Sequence, residues 1–129
     1  MKDPDRPKAS PHVLIVDDEN VICMTLAWIF RAKGYETRTA GSAEEALTLL
    51  NPWIPHIAIL DVSLPGMDGV DLAIHLKVLC PDCQLLLISG QPDSIESLKR
   101  AQDKGHQLEL LPKPISPTLL LDRAAEMLA

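Results

Sequence analysis

Residues 12–17 read His12-Val-Leu-Ile-Val-Asp17, and residues 56–61 read His56-Ile-Ala-Ile-Leu-Asp61. Each stretch is a short, almost entirely apolar run that ends in an aspartate. Such runs are typical of strands that are buried on both faces of a parallel sheet. A third run, Gln84-Leu-Leu-Leu-Ile-Ser89, has the same form and ends in a hydroxyl group. We therefore predict three buried strands, at 12–17, 56–61 and 84–89.

Two weaker strands and five helices complete the predicted pattern. Tyr35–Ala40 alternates and is rich in strand formers, which predicts a more exposed edge strand, and Leu108–Leu111 predicts a short last strand. Helical spacing and helix start and stop signals predict five helices. They are expected over 19–33, from Ser42 to Asn51-Pro52, around Leu72–Leu79 before Pro81, from Gly90 past Leu98, and from Ser116-Pro117 to the chain end. This alternation predicts a parallel sheet with right-handed crossovers and helices on both faces.

Length and composition fit a single domain. The 129 residues are 47% hydrophobic and 23% charged, which excludes a disordered chain and allows one core.

A net charge of −6 argues against direct nucleic-acid binding, because phosphate contacts need clustered cations. No apolar run approaches the ~18 residues of a membrane span, and three cysteines without a secretory signal predict a cytoplasmic location. We expect a disordered tail at 1–11 and one domain at 12–129.

Polar side chains stand where the predicted strands end. Asp17 and Asp18 follow the first strand, Asp61 and Ser89 end the third and fourth, and Lys113 follows the fifth. The carboxyl ends of parallel strands meet at one edge, where open α/β sheets bind ligands. Close carboxylates repel one another, so the site should take up a hard cation or shift a pKa, and oxygen ligands favour Mg²⁺. Metal, lysine and hydroxyl around Asp61 would cradle a phosphoryl group, with Asp61 as the nucleophile that becomes an acyl phosphate.

The motifs around these residues resemble the receiver domain of bacterial two-component response regulators. The resemblance runs from about Pro11 to the C-terminus. It rests on Val-Asp17-Asp18-Glu19, on Ile-Leu-Asp61-Val-Ser-Leu-Pro-Gly-Met-Asp-Gly, on Ile88-Ser-Gly90 and on Leu111-Pro-Lys-Pro114. It implies an α/β, flavodoxin-like, doubly wound (βα)5 fold whose five parallel strands have the order 2-1-3-4-5, an order known from this family.

The resemblance also implies how the acidic residues act. Asp61 would accept a phosphoryl group from the phosphohistidine of a histidine kinase or a phosphotransfer protein. Asp18, Asp61 and the Ser63 carbonyl would hold Mg²⁺, and Asp17 would assist through a water molecule. Such a domain is not an enzyme in the usual sense, because it catalyses only its own phosphorylation and dephosphorylation.

Three further residues concern the response to phosphorylation. Lys113, whose bond to Pro114 is expected to be cis, would pair with the phosphoryl oxygens, and Ser89 would be the switch hydroxyl. Leu110 departs from the family, which usually has Tyr or Phe there, with a ring that turns inward when the hydroxyl moves. The resemblance leaves the output protein or domain unnamed. It allows a homodimer through the fourth helix, fifth strand and fifth helix.

Two other functions share part of this pattern. Mg²⁺-dependent phosphatases with an aspartate nucleophile also use a strand-terminal aspartate, a hydroxyl group and a lysine. They need a second acid two residues after the nucleophile, where this chain has Ser63. A pseudo-receiver that only binds proteins would lack part of the site, and no site residue is missing here.

Overall fold

The computed structural model describes residues 10–90, 94–105 and 108–129. Within these ranges one parallel sheet contains β1 (His12–Val16), β2 (Glu36–Ala40), β3 (Ile57–Asp61), β4 (Gln84–Ser89) and β5 (Glu109–Pro112). The helices are α1 (Asn20–Ala32), α2 (Ala43–Thr48), α3 (Gly69–Leu79), α4 (Ser94–Asp103) and α5 (Pro117–Leu128). None of these helices is long and apolar enough to cross a membrane. The strand order β2-β1-β3-β4-β5 confirms the predicted flavodoxin-like fold.

Two apolar layers lie on the two faces of the sheet. Leu14 and Leu60 point to one face, where they belong to the layer that includes residues of α2, α3 and α4. Ile15 and Ile59 point to the other face and pack with residues of α1 and α5. All four side chains are fully buried. Because β1 and β3 are covered on both faces, they need apolar side chains at consecutive positions, which explains their continuous hydrophobic runs.

Side-chain caps fix the starts of α2, α3 and α5. Ser42 Oγ accepts a hydrogen bond from the Glu45 N–H at 3.1 Å at the start of α2. Asp68 Oδ1 accepts the Asp71 N–H at 2.8 Å at the start of α3, and Ser116 caps α5. Each cap satisfies an N–H group that has no partner within its own helix.

Several element ends differ from the predicted ones by a few residues. α2 ends at Thr48, before the expected break at Asn51-Pro52, because the next N–H groups bond three residues back rather than four. β3 begins one residue late at Ile57, and β5 is shifted by one residue to Glu109–Pro112. Residues 1–9 of the predicted tail and 91–93 at the predicted start of the fourth helix lie outside the described ranges.

An aromatic cluster covers the end of the sheet at which the strands begin. The rings of His12 and Trp53 stack, with centroids 5.0 Å apart and an interplanar angle of 8°. The Arg38 guanidinium lies 4.8 Å from the centre of the Trp53 ring. Trp53 is 6% exposed and is part of the apolar layer on the α2 and α3 face. Trp53 therefore belongs to the hydrophobic core, at the end of the sheet opposite to the predicted site.

Candidate functional site

The carboxyl end of the sheet brings the predicted polar residues together. Asp17 follows β1, Asp61 and Ser89 end β3 and β4, and all three are buried, with exposures of 1%, 3% and 6%. Lys113 follows β5, and its backbone N–H donates to the Ser89 carbonyl at 2.8 Å. The Lys113–Pro114 peptide bond is cis, as the resemblance implies. The parallel register thus places residues from four distant parts of the sequence side by side.

Three carboxylates form an acidic cluster at this edge. One oxygen from each of Asp17, Asp18 and Asp61 lies within 4.8 Å of the other two. Asp18 is exposed, whereas the other two are buried. Backbone groups orient the buried pair: Asp17 Oδ1 accepts the Glu19 N–H at 2.8 Å, and Asp61 Oδ1 accepts the Ser63 N–H at 3.2 Å. The predicted metal-binding carboxylates are therefore near neighbours in the folded chain.

Lys113 supplies a positive charge to this cluster. Its Nζ lies 2.9 Å from Asp17 Oδ2 and 3.4 Å from Asp61 Oδ2. It also lies 3.4 Å from Glu19 Oε1. No role was predicted for Glu19, although its position directly after the Asp17-Asp18 pair was the available signal. One ammonium group thus faces three carboxylates.

Burial and charge shift the protonation of Asp61 and Lys113. Burial raises the pKa of Asp61, and the nearby Asp17 carboxylate raises it further, while the Ser63 N–H and Lys113 partly offset this. Burial alone would lower the pKa of Lys113, but its hydrogen bond to Asp17 and the charge of Asp61 outweigh burial and raise it. Lys113 is therefore held in its charged form. The ionised form of Asp61 would be stabilised by further positive charge nearby.

The donor set fits a divalent cation. Asp17 Oδ2 is buried and lies 2.9 Å from Lys113 Nζ, which also lies 3.4 Å from Asp61 Oδ2, so one ammonium group is shared by two buried carboxylates. One ammonium group cannot offset the charge of all the clustered carboxylates, and buried charge without compensation is costly. All three acidic residues of the cluster offer oxygen ligands, which hard divalent cations prefer.

Close backbone packing fixes the position of α3 relative to the end of β3. The Gly69 N–H donates to the Val62 carbonyl at 2.9 Å. A Cβ atom at Gly69 would lie 2.1 Å from the Asp61 carbonyl oxygen and 2.9 Å from Val62 Cα. The first residue of α3 must therefore lack a side chain. This constraint was not predicted, because nothing in the local sequence pattern shows which backbone lies against Gly69.

Leu110 lies on β5, at the position where receiver domains usually have an aromatic residue. It pairs with Leu87 of β4, is partly buried and packs against the layer on the α3 and α4 face. A leucine at this position therefore contributes to the core. Residues 91–93, in the loop that follows β4, lie outside the described residues.

Proteins of known function resemble this chain in sequence. The aerobic respiration control protein ArcA of Escherichia coli (strain K12) is 30% identical over 120 residues, which cover 93% of this chain and 49% of ArcA. The sporulation initiation phosphotransferase F of Bacillus subtilis (strain 168) is 32% identical over 89 residues, which cover 67% of this chain and 72% of that protein. The chain thus spans about half the length of ArcA.

Solved structures and the family comparison agree with these relatives. A CheY-like response regulator receiver domain from Methanospirillum hungatei JF-1 superposes with a TM-score of 0.84 at 28% identity, covering 92% of this chain and 94% of that one. The receiver domain of NtrX from Brucella abortus gives 0.77 at 34% identity, with 90% and 97% covered. The response regulator receiver domain family matches residues 13–125. This chain therefore belongs to the family of response regulator receiver domains of two-component systems.

Proposed function

We propose that Asp61 is the phosphoacceptor of this receiver domain. The observation that carries the proposal is the position of its carboxylate, which is buried at the end of β3 with Oδ2 3.4 Å from Lys113 Nζ. The Ser63 N–H holds Oδ1, so the carboxylate is oriented before a phosphodonor arrives. An oriented carboxylate beside a fixed positive charge suits attack on a phosphorus atom.

Mg²⁺ is the cation that we propose for the acidic cluster. Asp18, Asp61 and the Ser63 carbonyl would hold it, and Asp17 would contribute through a water molecule. When bound, it supplies positive charge that offsets the carboxylates and the oxygens of the incoming phosphoryl group. The clustering of the three carboxylates, of which Asp17 and Asp61 are buried, supports this assignment.

The proposed transfer is a single displacement at phosphorus. A carboxylate oxygen of Asp61 forms the new O–P bond. The P–N bond of a donor phosphohistidine breaks, and its electron pair leaves with the imidazole nitrogen. Lys113 stabilises the negative charge of the phosphoryl oxygens, and Ser89 supplies the hydroxyl that responds to them. Attack of water on the phosphorus atom then breaks the O–P bond to Asp61, releases inorganic phosphate and restores the carboxylate, so the domain catalyses only its own phosphorylation and dephosphorylation.

An exposed apolar stripe on α1 suits a protein phosphodonor. Val21 and Trp28 are both 76% exposed, and Met24 is 63% exposed. A cavity of about 450 Å³ beside this helix is also lined by Glu19 and Lys113, so it reaches the acidic site. We propose that a histidine kinase or phosphotransfer protein docks here and brings its phosphohistidine to Asp61.

We place this exchange in the cytoplasm, with which three free cysteines are consistent.

The output of the domain belongs to the same proposal. Phosphorylation changes the affinity for a separate output protein or for a further domain. A homodimer through α4, β5 and α5 is one form that this change can take. Leu110 has no aromatic ring that could turn between an inward and an outward position. We therefore propose that phosphorylation changes the surface through the loop after β4 and through α4.

Incubation with Mg²⁺ and acetyl phosphate, followed by intact mass measurement, tests the proposed function. We expect a labile gain of one phosphoryl group by the wild type and none by Asp61→Asn, since the amide keeps the shape but lacks a nucleophilic charge. Gain by the variant at the wild-type rate would show that another residue is modified. Turnover of the donor without retained phosphate would instead indicate a phosphatase, and no reaction would indicate a pseudo-receiver.

A further inference from the structure

The loop between β3 and α3 carries the backbone of the proposed metal site. It runs over residues 62–68 and contains Ser63, whose carbonyl is a proposed ligand. The two ends of the loop are well held. Val62 is buried and its N–H donates to the Ile88 carbonyl at 3.0 Å, while Asp68 caps α3. Gly66 and Met67 lie between these two anchors.

Glu44 of α2 contacts this part of the loop from outside it. Its Oε1 accepts a hydrogen bond from the Met67 N–H at 3.2 Å, across 23 residues of sequence. The same carboxylate lies against Gly66, where a Cβ atom would be 2.9 Å from Oε1 and 3.4 Å from Oε2. Gly66 has a φ of +73°, a backbone conformation that glycine adopts without strain. The carboxylate therefore lies over a side-chain-free turn and bonds to the next N–H.

We infer that Glu44 is a positioning residue for the metal site. It ties the middle of the β3–α3 loop to α2 and so restricts the backbone on which Ser63 lies. Neither the sequence motif nor the acidic cluster includes Glu44, which is exposed and does not belong to the three clustered carboxylates. The inference rests on the proposed function, because it assumes that the loop carries a metal ligand.

Glu45 offers a matched control in the same helix turn. Its Oε2 accepts the Gly41 N–H at 3.0 Å, on the β2–α2 side and not on the β3–α3 loop. Changing Glu44 or Glu45 to Gln removes the same charge, and an amide oxygen can still accept each hydrogen bond. Changing either residue to Ala removes the charge and the bond together. Comparing the four variants therefore separates the effect of charge from the effect of the loop contact.

Mg²⁺ affinity measured by calorimetric titration of the full chain is the main readout. We expect Glu44→Ala to raise the Mg²⁺ dissociation constant about three- to tenfold, the effect of losing one such hydrogen bond. We expect Glu44→Gln, Glu45→Gln and Glu45→Ala to stay within about twofold of wild type. Equal constants for Glu44→Ala, Glu44→Gln and Glu45→Ala would overturn the inference.

Two further measurements exclude a merely structural role. Glu44→Ala and Glu45→Ala should lower the melting temperature of the metal-free protein by similar small amounts, although only the first weakens Mg²⁺ binding. At saturating Mg²⁺ the rate of phosphorylation of Glu44→Ala should return to the wild-type value, and a rate that stays low would contradict the inference. If the wild type binds Mg²⁺ but gains no phosphoryl group, the proposed function fails, while the order of Mg²⁺ affinities still decides the role of Glu44.

Discussion

Gly69→Ala tests whether the packing at the start of α3 positions the site. Alanine in place of glycine inside a helix ordinarily stabilises a protein by about 0.5–1 kcal/mol. Here the new Cβ would lie 2.1 Å from the Asp61 carbonyl oxygen, although real Cβ atoms essentially never approach closer than 3.0 Å. The neighbouring atoms belong to the backbone of Asp61 and Val62 and cannot rotate away. The helix or the strand end must therefore move by about 1 Å.

The clash should outweigh the gain in helix propensity. Forcing extra atoms into well-packed regions costs about 1–3 kcal/mol, so we expect a net destabilisation of about 1–2 kcal/mol. For a domain of this size that corresponds to a fall of about 4–8 °C in melting temperature. The movement occurs at Asp61 itself, so the rate of phosphorylation by acetyl phosphate should fall as well.

Thermal unfolding and the phosphorylation rate of the purified variant provide the assay. Gly41→Ala is the control, because its Cβ would make only an ordinary contact, 3.6 Å from Glu45 Oε2. The control should stay within about 0.5 kcal/mol of wild type. A Gly69→Ala protein that is as stable as wild type and is phosphorylated at the same rate would refute the packing described at the end of β3.

Four further outcomes follow from the site and its surroundings. Asp18→Ala should weaken Mg²⁺ binding in calorimetric titrations and raise the melting temperature of the metal-free protein by about 3 °C, because it removes a repelling carboxylate; unchanged affinity would count against Asp18 as a ligand. Burial raises the pKa of Asp61, so ionisation of this carboxyl group destabilises the metal-free fold. This loss of stability begins as the pH rises above 3.8, the ordinary pKa of an aspartate, and grows as the pH rises through the pKa of Asp61 in the folded state. Asp61→Asn should therefore melt higher than wild type at neutral pH without Mg²⁺, and the difference should vanish near pH 3. Trp28→Ala should slow transfer from a protein phosphodonor but not from acetyl phosphate, whereas Val78→Ala, at a 77% exposed position on α3, should change neither rate. Because Leu110 has no ring to swing, NMR shifts between the metal-free and beryllofluoride-bound forms should include α4; large shifts confined to β5 would contradict this.

The central fold was predictable because its signals are local. Strands β1, β3 and β4 are covered on both faces, so each appears in the sequence as an uninterrupted apolar run with a polar end. The helix starts at Ser42 and Ser116 were equally predictable, because a cap and its N–H partner are three residues apart. The end of α2 was less predictable, since a helix can finish in a tighter turn before the residue that forbids its continuation.

The site was predictable to the extent that strand ends meet in a parallel sheet. This rule brought Asp17, Asp61 and Lys113 together without any knowledge of distances. The rule says nothing about contacts between loops. The approach of Glu44 to the Met67 N–H and the backbone contact at Gly69 depend on how α2 and α3 settle against β3. Such contacts join residues that no periodicity or motif connects.

The two tryptophans give the domain a built-in optical reporter. Trp53 is enclosed between His12 and the core at one end of the sheet, whereas Trp28 stands in solvent on α1. A buried indole emits at shorter wavelengths than a hydrated one, and only the hydrated one is open to a collisional quencher such as acrylamide. A protein seated on α1 would shield Trp28 and leave Trp53 unchanged. Unlabelled protein can therefore report the occupancy of that helix, with its own core as the internal reference.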